Sequence, residues 1–166
     1  MSGPVVNLEE YYPQALQCVN QLMDVQEIRH AFLSRELGNK QVRSLIDIAS
    51  RASCLEELYA YILYKVGRDK NQHGWAKEVP SDRAAGDGRT NVPLGERLIE
   101  ATRHLLSGES VAGLTQKEKL MLLSRFFGYL YWRVTYEDFK GNNGAREQGN
   151  GQRNNSQQQA RRGRNR

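Results

Sequence analysis

Apolar residues recur every three or four positions along most of this chain, which is the period of an amphipathic helix. In segment 14–37 the spacing runs through Leu16, Val19, Leu22, Met23, Phe32 and Leu33, with Pro13 suited to the first turn. Gly38-Asn39 ends that segment, and Asn39 is placed to cap the next. Segment 40–52 sets Val42, Leu45, Ile46, Ala49 and Ala52 on one stripe. Arg43, Asp47 and Arg51 lie at intervals of four on its other face. Ser53-Cys54-Leu55-Glu56 has the form of a capping box. The helix it opens runs to about Val66 on a stripe of Leu55, Leu58, Tyr59, Ile62 and Val66, with Gly67 as a natural stop.

Periodicity then vanishes from Gly67 to Pro93, a polar stretch holding Gly74, Pro80, Gly86, Gly88 and Pro93. An irregular connection of that length inside a compact domain is unusual, and Trp75 is the residue placed to pin one end of it. Helical spacing returns at 94–107 through Leu94, Leu98, Ala101, Leu105 and Leu106. Gly108 and Gly113 bound a short turn, and Thr115-Gln116-Lys117-Glu118 is a second capping box. The last helix, about 116–139, carries Leu120, Leu123, Phe126, Phe127, Leu130 and Val134. Tyr129, Tyr131, Trp132, Tyr136 and Phe139 make its final turns aromatic. No sustained alternation competes, so the pattern predicts an all-α fold: a compact bundle of about five helices with a long irregular loop, 67–93.

Charge divides the chain. It holds 24 basic and 19 acidic residues, for a net +5. Residues 141–166 carry six arginines and one acid, Glu147, so they hold the whole excess and residues 1–140 are neutral. That last segment is built from Gly, Asn, Gln, Ser and Arg, with Ala145 and Ala160 its only apolar residues. It has too little apolar surface to offset the entropy of ordering it, which predicts a 1–140 domain and a disordered basic tail. Arginines in such tails, here Arg161, Arg162, Arg164 and Arg166 above all, are suited to polynucleotide backbones. Cys18 and Cys54 lie in apolar helical contexts without a CxxC spacing and read as buried free thiols of a reducing compartment. No apolar run reaches the length of a membrane span, and the N-terminus lacks the layout of a signal peptide. The expectation is a soluble cytoplasmic protein that contacts no membrane. His30, His73 and His104 are scattered without metal-ligand spacing, so no metal or other cofactor is expected.

Arg68 to His73 has the Arg-x4-His form and resembles the motif of HEPN ribonucleases, in which such a pair acts on an RNA phosphate. Arg97 to His104 fits a looser version, as expected by chance in so arginine-rich a chain. The cations of the second and third helical segments are the stronger signal. Lys40, Arg43 and Arg51 project from one, and Lys65, Arg68 and Lys70 cluster at the end of the other, with Asp69 the only acid among them. An antiparallel hairpin is expected to set these groups at opposite ends, and crossing or bending to bring them onto one backbone-gripping stripe. The competing reading is an ordinary solvated surface with local pairs such as Arg43 with Asp47.

Asn39-Lys40-Gln41-Val42-Arg43-Ser44-Leu45 resembles the Ser-Lys-Ile-Arg-type helix start in the small subunit of type III CRISPR effector complexes. Leu55 to Arg68, ending Tyr64-Lys65-Val66-Gly67-Arg68, is similar to that family's next helix, and Phe126-Phe127-Gly128-Tyr129-Leu130-Tyr131 to its C-terminal aromatic helix. The resemblance implies a non-catalytic helical bundle that stacks with itself or neighbouring subunits and faces guide and target RNA through basic residues. Arg43 and Arg68 stand at the two motif arginines; Lys40, Arg51, Lys65 and Lys70 join them by surface position. Loop 74–93 and the tail have no counterpart in the pattern. Two other readings stay open: an HEPN-like ribonuclease using Arg68 and His73, and a helical adaptor that docks proteins through Tyr131, Trp132, Tyr136 and Phe139.

Overall fold

A computed structural model describes residues 6–82 and 91–162, with side chains as far as 142. Gly86 and Gly88 of the expected loop lie outside the described residues, as do the side chains of Arg161, Arg162, Arg164 and Arg166. The chain divides into two compact units, Met1–Val134 and Thr135–Arg166. After a 3-10 turn at Leu8–Tyr11, the elements are α1 (Tyr12–Asp24), α2 (Gln26–Phe32), α3 (Gly38–Arg51), α4 (Leu55–Arg68), β1 (Glu78–Pro80), β2 (Asn91–Pro93), α5 (Leu94–Leu106), α6 (Glu109–Ala112) and α7 (Gln116–Arg162). Among the described residues the fold is all-α apart from this one strand pair.

Four local expectations are corrected. The segment expected as one helix breaks at Val25, whose extended backbone ends α1 and opens α2. Arg29 stabilises the break by donating from Nη1 to the Met23 carbonyl at 3.3 Å. Gly38, not Asn39, does the work at the next boundary: it adopts a left-handed φ of 59°, and the α3 start carries no side-chain cap. The box opening α4 closes one residue later than its pattern suggests, because Glu57 Oε2 accepts from the Ser53 amide at 2.7 Å and Cys54 is the N-cap. The helix then passes Gly67 and stops at Arg68. The Thr115 box forms as its pattern requires. Thr115 N donates to Glu118 Oε2 at 2.7 Å and Glu118 N to Thr115 Oγ1 at 3.3 Å.

In the described parts of the loop, residues 67–82 and 91–93, the backbone is more regular than periodicity suggests. Val79 and Val92, both buried, pair in an antiparallel β1–β2 ladder flanked by Glu78–Pro93 and Pro80–Asn91. Strands of three residues that contain proline are tolerated because each has a free edge. The Trp75 carbonyl accepts from the Gly95 amide at 3.0 Å, so Trp75 does pin the loop, to the start of α5. At Gly95 the backbones of α4 and α5 come so close that a Cβ would overlap Val66 Cγ2 and press on Ile62 Cγ2 at 3.1 Å.

The core of the first unit gathers Ala15, Val19, Leu22, Ile28 and Phe32 with Val42, Leu45, Ala49, Leu58 and Ile62, and closes on Leu98, Leu123, Phe126 and Phe127. The two phenylalanines meet edge to face at 5.3 Å. Arg133 ties α7 to α1 by donating to Asn20 Oδ1 at 3.3 Å. In the second unit helical backbone continues through Arg162, where composition predicts disorder from Gly141. Lys140 Nζ sits 5.5 Å from the Tyr136 ring centre within this unit. No helix among the described residues is long and apolar enough to cross a membrane.

Candidate nucleic-acid interface

Helices α3 and α4 are joined by residues 52–54 and run antiparallel. Lys65 Nζ donates to Gln41 Oε1 at 3.2 Å, and the Tyr61 hydroxyl reaches Ser44 Oγ at 3.4 Å. The start of α3 therefore lies beside the end of α4. This corrects the expected arrangement: an antiparallel hairpin brings Lys40 to the same end as Lys65, Arg68 and Lys70, and leaves Arg51 at the far end. Gly74 lies against Glu36 and Leu37, which folds the following loop onto that same end.

Among the described residues no carboxylate stands within ion-pairing distance of Lys40, Arg43, Arg51, Lys65, Arg68 or Lys70. The Arg43–Asp47 pair of the competing reading does not form among the described residues. All six are exposed except Lys65, which is half-buried. Arg43 and Arg68 do not converge. Gln41 and Ser44 face α4, whereas Arg43 lies seven residues before Ser50, whose hydroxyl meets Ser124 of α7 at 3.0 Å. Helical periodicity thus turns Arg43 towards the α7 flank, with Lys40 between it and the α4 cations.

Each α4 cation rests on a tyrosine four residues earlier. Lys65 Nζ is 5.3 Å from the Tyr61 ring centre, and the Arg68 guanidinium is 5.6 Å from that of Tyr64. Arg68 Nη1 also donates to the Tyr64 hydroxyl at 2.9 Å. Tyr64 is 54% exposed, so cations and aromatic faces alternate on the outer side of this helix end. The sequence reading missed both tyrosines, although the Tyr-x3-Lys and Tyr-x3-Arg spacings were there to be seen.

Asp69, the acid inside this cluster, is turned inward. Its Oδ2 accepts from the amides of Gly74 at 2.8 Å and Ala76 at 2.9 Å. Partial burial pushes the carboxyl up, but the N–H groups of Ala76, Gly74, His73 and Gln72 together hold it below the ordinary carboxylate range. The carboxylate keeps its charge while it shapes the loop, so it offsets one of the neighbouring cations without pairing directly with Arg68 or Lys70. Arg35 and Glu36, both exposed before α3, offset each other in charge.

Arg68 and His73 are both exposed. Arg97 is buried, with Nη2 3.5 Å from Asp82 Oδ1, while His104 is exposed and lines a groove beside Cys18 that Arg97 does not enter. Cys18 is buried, its thiol pushed up to about 11 by burial against the lowering field of Arg97, whereas Cys54 is only half-buried. Of the aromatic residues midway along α7, Trp132, Tyr136 and Phe139 are exposed and Tyr131 packs partly into the core. No group of His, Cys, Asp and Glu among the described residues is arranged to hold a metal ion.

A second concavity of about 740 Å³ lies between α3 and α7. Its walls include Met121 and Trp132, its floor Ser50, Ser124 and Gly128, and its charged residues are Lys117 and Arg125. Compared with protein-family models, curated proteins and solved structures, the chain matches none.

Proposed function

We propose that this protein is a non-catalytic RNA-binding small subunit of a CRISPR-type ribonucleoprotein effector complex, holding the phosphate backbone of guide or target RNA at the shared end of α3 and α4. The observation that carries the reading is the outward cluster of Lys40, Lys65, Arg68 and Lys70, interleaved with Tyr61 and Tyr64, whose internal acid is bound to backbone amides. The resemblance of residues 39–70 and 126–131 to type III small subunits supplies the class of assembly. Cations gripping phosphates carry no sequence information, so base pairing with the guide supplies specificity. The neutral domain leaves faces free to stack on itself or on neighbouring subunits without mutual repulsion. Tail arginines add a weaker, non-specific hold.

Fluorescence anisotropy with single-stranded RNA over a salt series tests this. Changing Lys65, Arg68 and Lys70 together to Gln should weaken binding at least tenfold and lower the slope of log K against log salt by up to ~2 for single strands. Arg43→Ala, on the other flank, should cost less than Arg68→Ala. Binding that ignores salt, or that is lost only when the six tail arginines become Gln, would remove the fold as the reader. Metal-free cleavage of the RNA that disappears in His73→Ala would transfer the case to the ribonuclease reading.

A further inference from the structure

We propose that the groove between α3 and α7 is a docking site for an acidic amphipathic helix of a partner protein. Two contacts give the walls an antiparallel arrangement. The Leu55 amide, just past α3, reaches Gln116 Oε1 at the start of α7 at 3.4 Å, and Ser50 meets Ser124 further along. The lining runs along α7 from Lys117 to Trp132, about 22 Å at the helical rise, which matches a helix of roughly four turns.

Gly128 is the most informative residue in it. Glycine inside a helix costs about 1 kcal/mol relative to alanine. Nothing within the protein requires it, because a Cβ at 128 would meet no atom within 4 Å. Together with Ala49, Ser50 and Ser124 it keeps the floor low, so that a second backbone is able to approach closely. Above that floor stand Met121, 52% exposed, and Trp132, 62% exposed. A flexible thioether and an exposed indole are the side chains that anchor an apolar helix face.

Charge selects the occupant. Lys117 and Arg125 line the groove and no carboxylate does. They are eight residues apart on one helix, about 12 Å, which is the span between carboxylates two turns apart on a docked helix. A polynucleotide is the poorer fit, since a strand needs a cation for each phosphate it contacts and the groove offers two with apolar surface between them. The chain's own tail carries the wrong charge. The inference does not rest on the RNA reading, which uses the opposite flank of the hairpin.

Intrinsic fluorescence provides the assay. Of the two tryptophans Trp75 is 5% exposed, so Trp132 dominates any response to a ligand. The probe is a synthetic peptide of about 18 residues with leucines at i, i+3, i+4 and i+7 and glutamates on the flanking faces. The full chain should show a saturable blue shift with it, and none with a scrambled peptide or a lysine-for-glutamate peptide. Gly128→Leu adds a Cβ that meets no atom within 4 Å, and should keep or raise the melting temperature while weakening binding at least tenfold. Lys117→Glu puts an acid in the first turn of α7, where the helix dipole favours it, and should also weaken the glutamate peptide at least tenfold. Failure of the peptide to bind, equal binding by the scrambled peptide, or insensitivity to Gly128→Leu overturns the proposal. An oligouridylate that shifts Trp132 more tightly than the peptide, and loses that shift in Gly128→Leu, overturns it in favour of a nucleic-acid groove.

Discussion

Gly95→Ala puts the close approach of α4 and α5 under test. A methyl at 95 overlaps Val66 Cγ2 and comes within 3.1 Å of Ile62 Cγ2. Both neighbours are β-branched residues inside α4, where one χ1 rotamer is strongly preferred, so neither side chain is free to swing clear. Relief must come from separating α4 and α5. Overpacking of this kind costs about 1–3 kcal/mol, against a gain below ~1 kcal/mol from replacing glycine in a helix. The outright overlap with Val66 puts the cost in the upper half of that range, so the net is a loss of about 1–2 kcal/mol. At roughly 3–6 °C per kcal/mol for a domain of this size, the melting temperature should fall by about 3–12 °C. Val66→Ala in the same chain removes the overlapping methyl and should restore part of the loss, a coupling visible in a double-mutant cycle. Gly128→Ala is the control: it is equally helical but open, and should raise stability by up to ~1 kcal/mol. Thermal and urea unfolding of the four variants give the answer. A Gly95→Ala protein as stable as the parent, or a cycle with no coupling, refutes the packing argument.

Asp69→Ala should release the loop after α4. It removes two hydrogen bonds to a charged acceptor, worth about 1–2 kcal/mol together after allowance for partial exposure, and faster exchange of the Gly74 and Ala76 amides would report it. Because the Asp69 carboxyl is held below its ordinary value, its contribution is complete above the unfolded-state value near 4 and fades as pH falls through the lower folded value; loop protection that instead weakens as pH rises contradicts the assignment. Cys54 should alkylate in the native protein at pH 8 while Cys18, buried and raised to about 11, reacts only on unfolding, as peptide mass spectrometry would resolve; equal rates would place Cys18 at the surface. Thr115→Ala should cost about 0.5–2 kcal/mol by opening the box at the start of α7, read from denaturant midpoints.

Helix faces were legible because one stripe per helix had to be buried: Val42, Leu45 and Ala49 of α3 and Leu58 and Ile62 of α4 are buried on the faces their spacing assigns. The break at Val25 was not, since no glycine or proline marks it and the local bond that stabilises it, from Arg29 to the Met23 carbonyl, forms only once the chain has turned. The β1–β2 ladder was hidden by its brevity and by Pro80 and Pro93. At the candidate site the individual cations could be read directly, but their grouping depended on how α3 and α4 pair. The groove could not be read at all, because Ser50 and Ser124 meet only when α7 packs on α3. The roles of Tyr61 and Tyr64 were not read because only Tyr59 of the three α4 tyrosines lies on the expected stripe, and Tyr64 entered only as a residue of the resemblance motif.

Photo-cross-linking places RNA on the molecule more directly than any affinity. With single-stranded RNA carrying 4-thiouridine, the account predicts adducts on the peptide spanning Tyr61 to Lys70, with Tyr64 foremost. Adducts confined to residues 141–166, with none on the α3–α4 end, would show that the folded domain does not hold the strand.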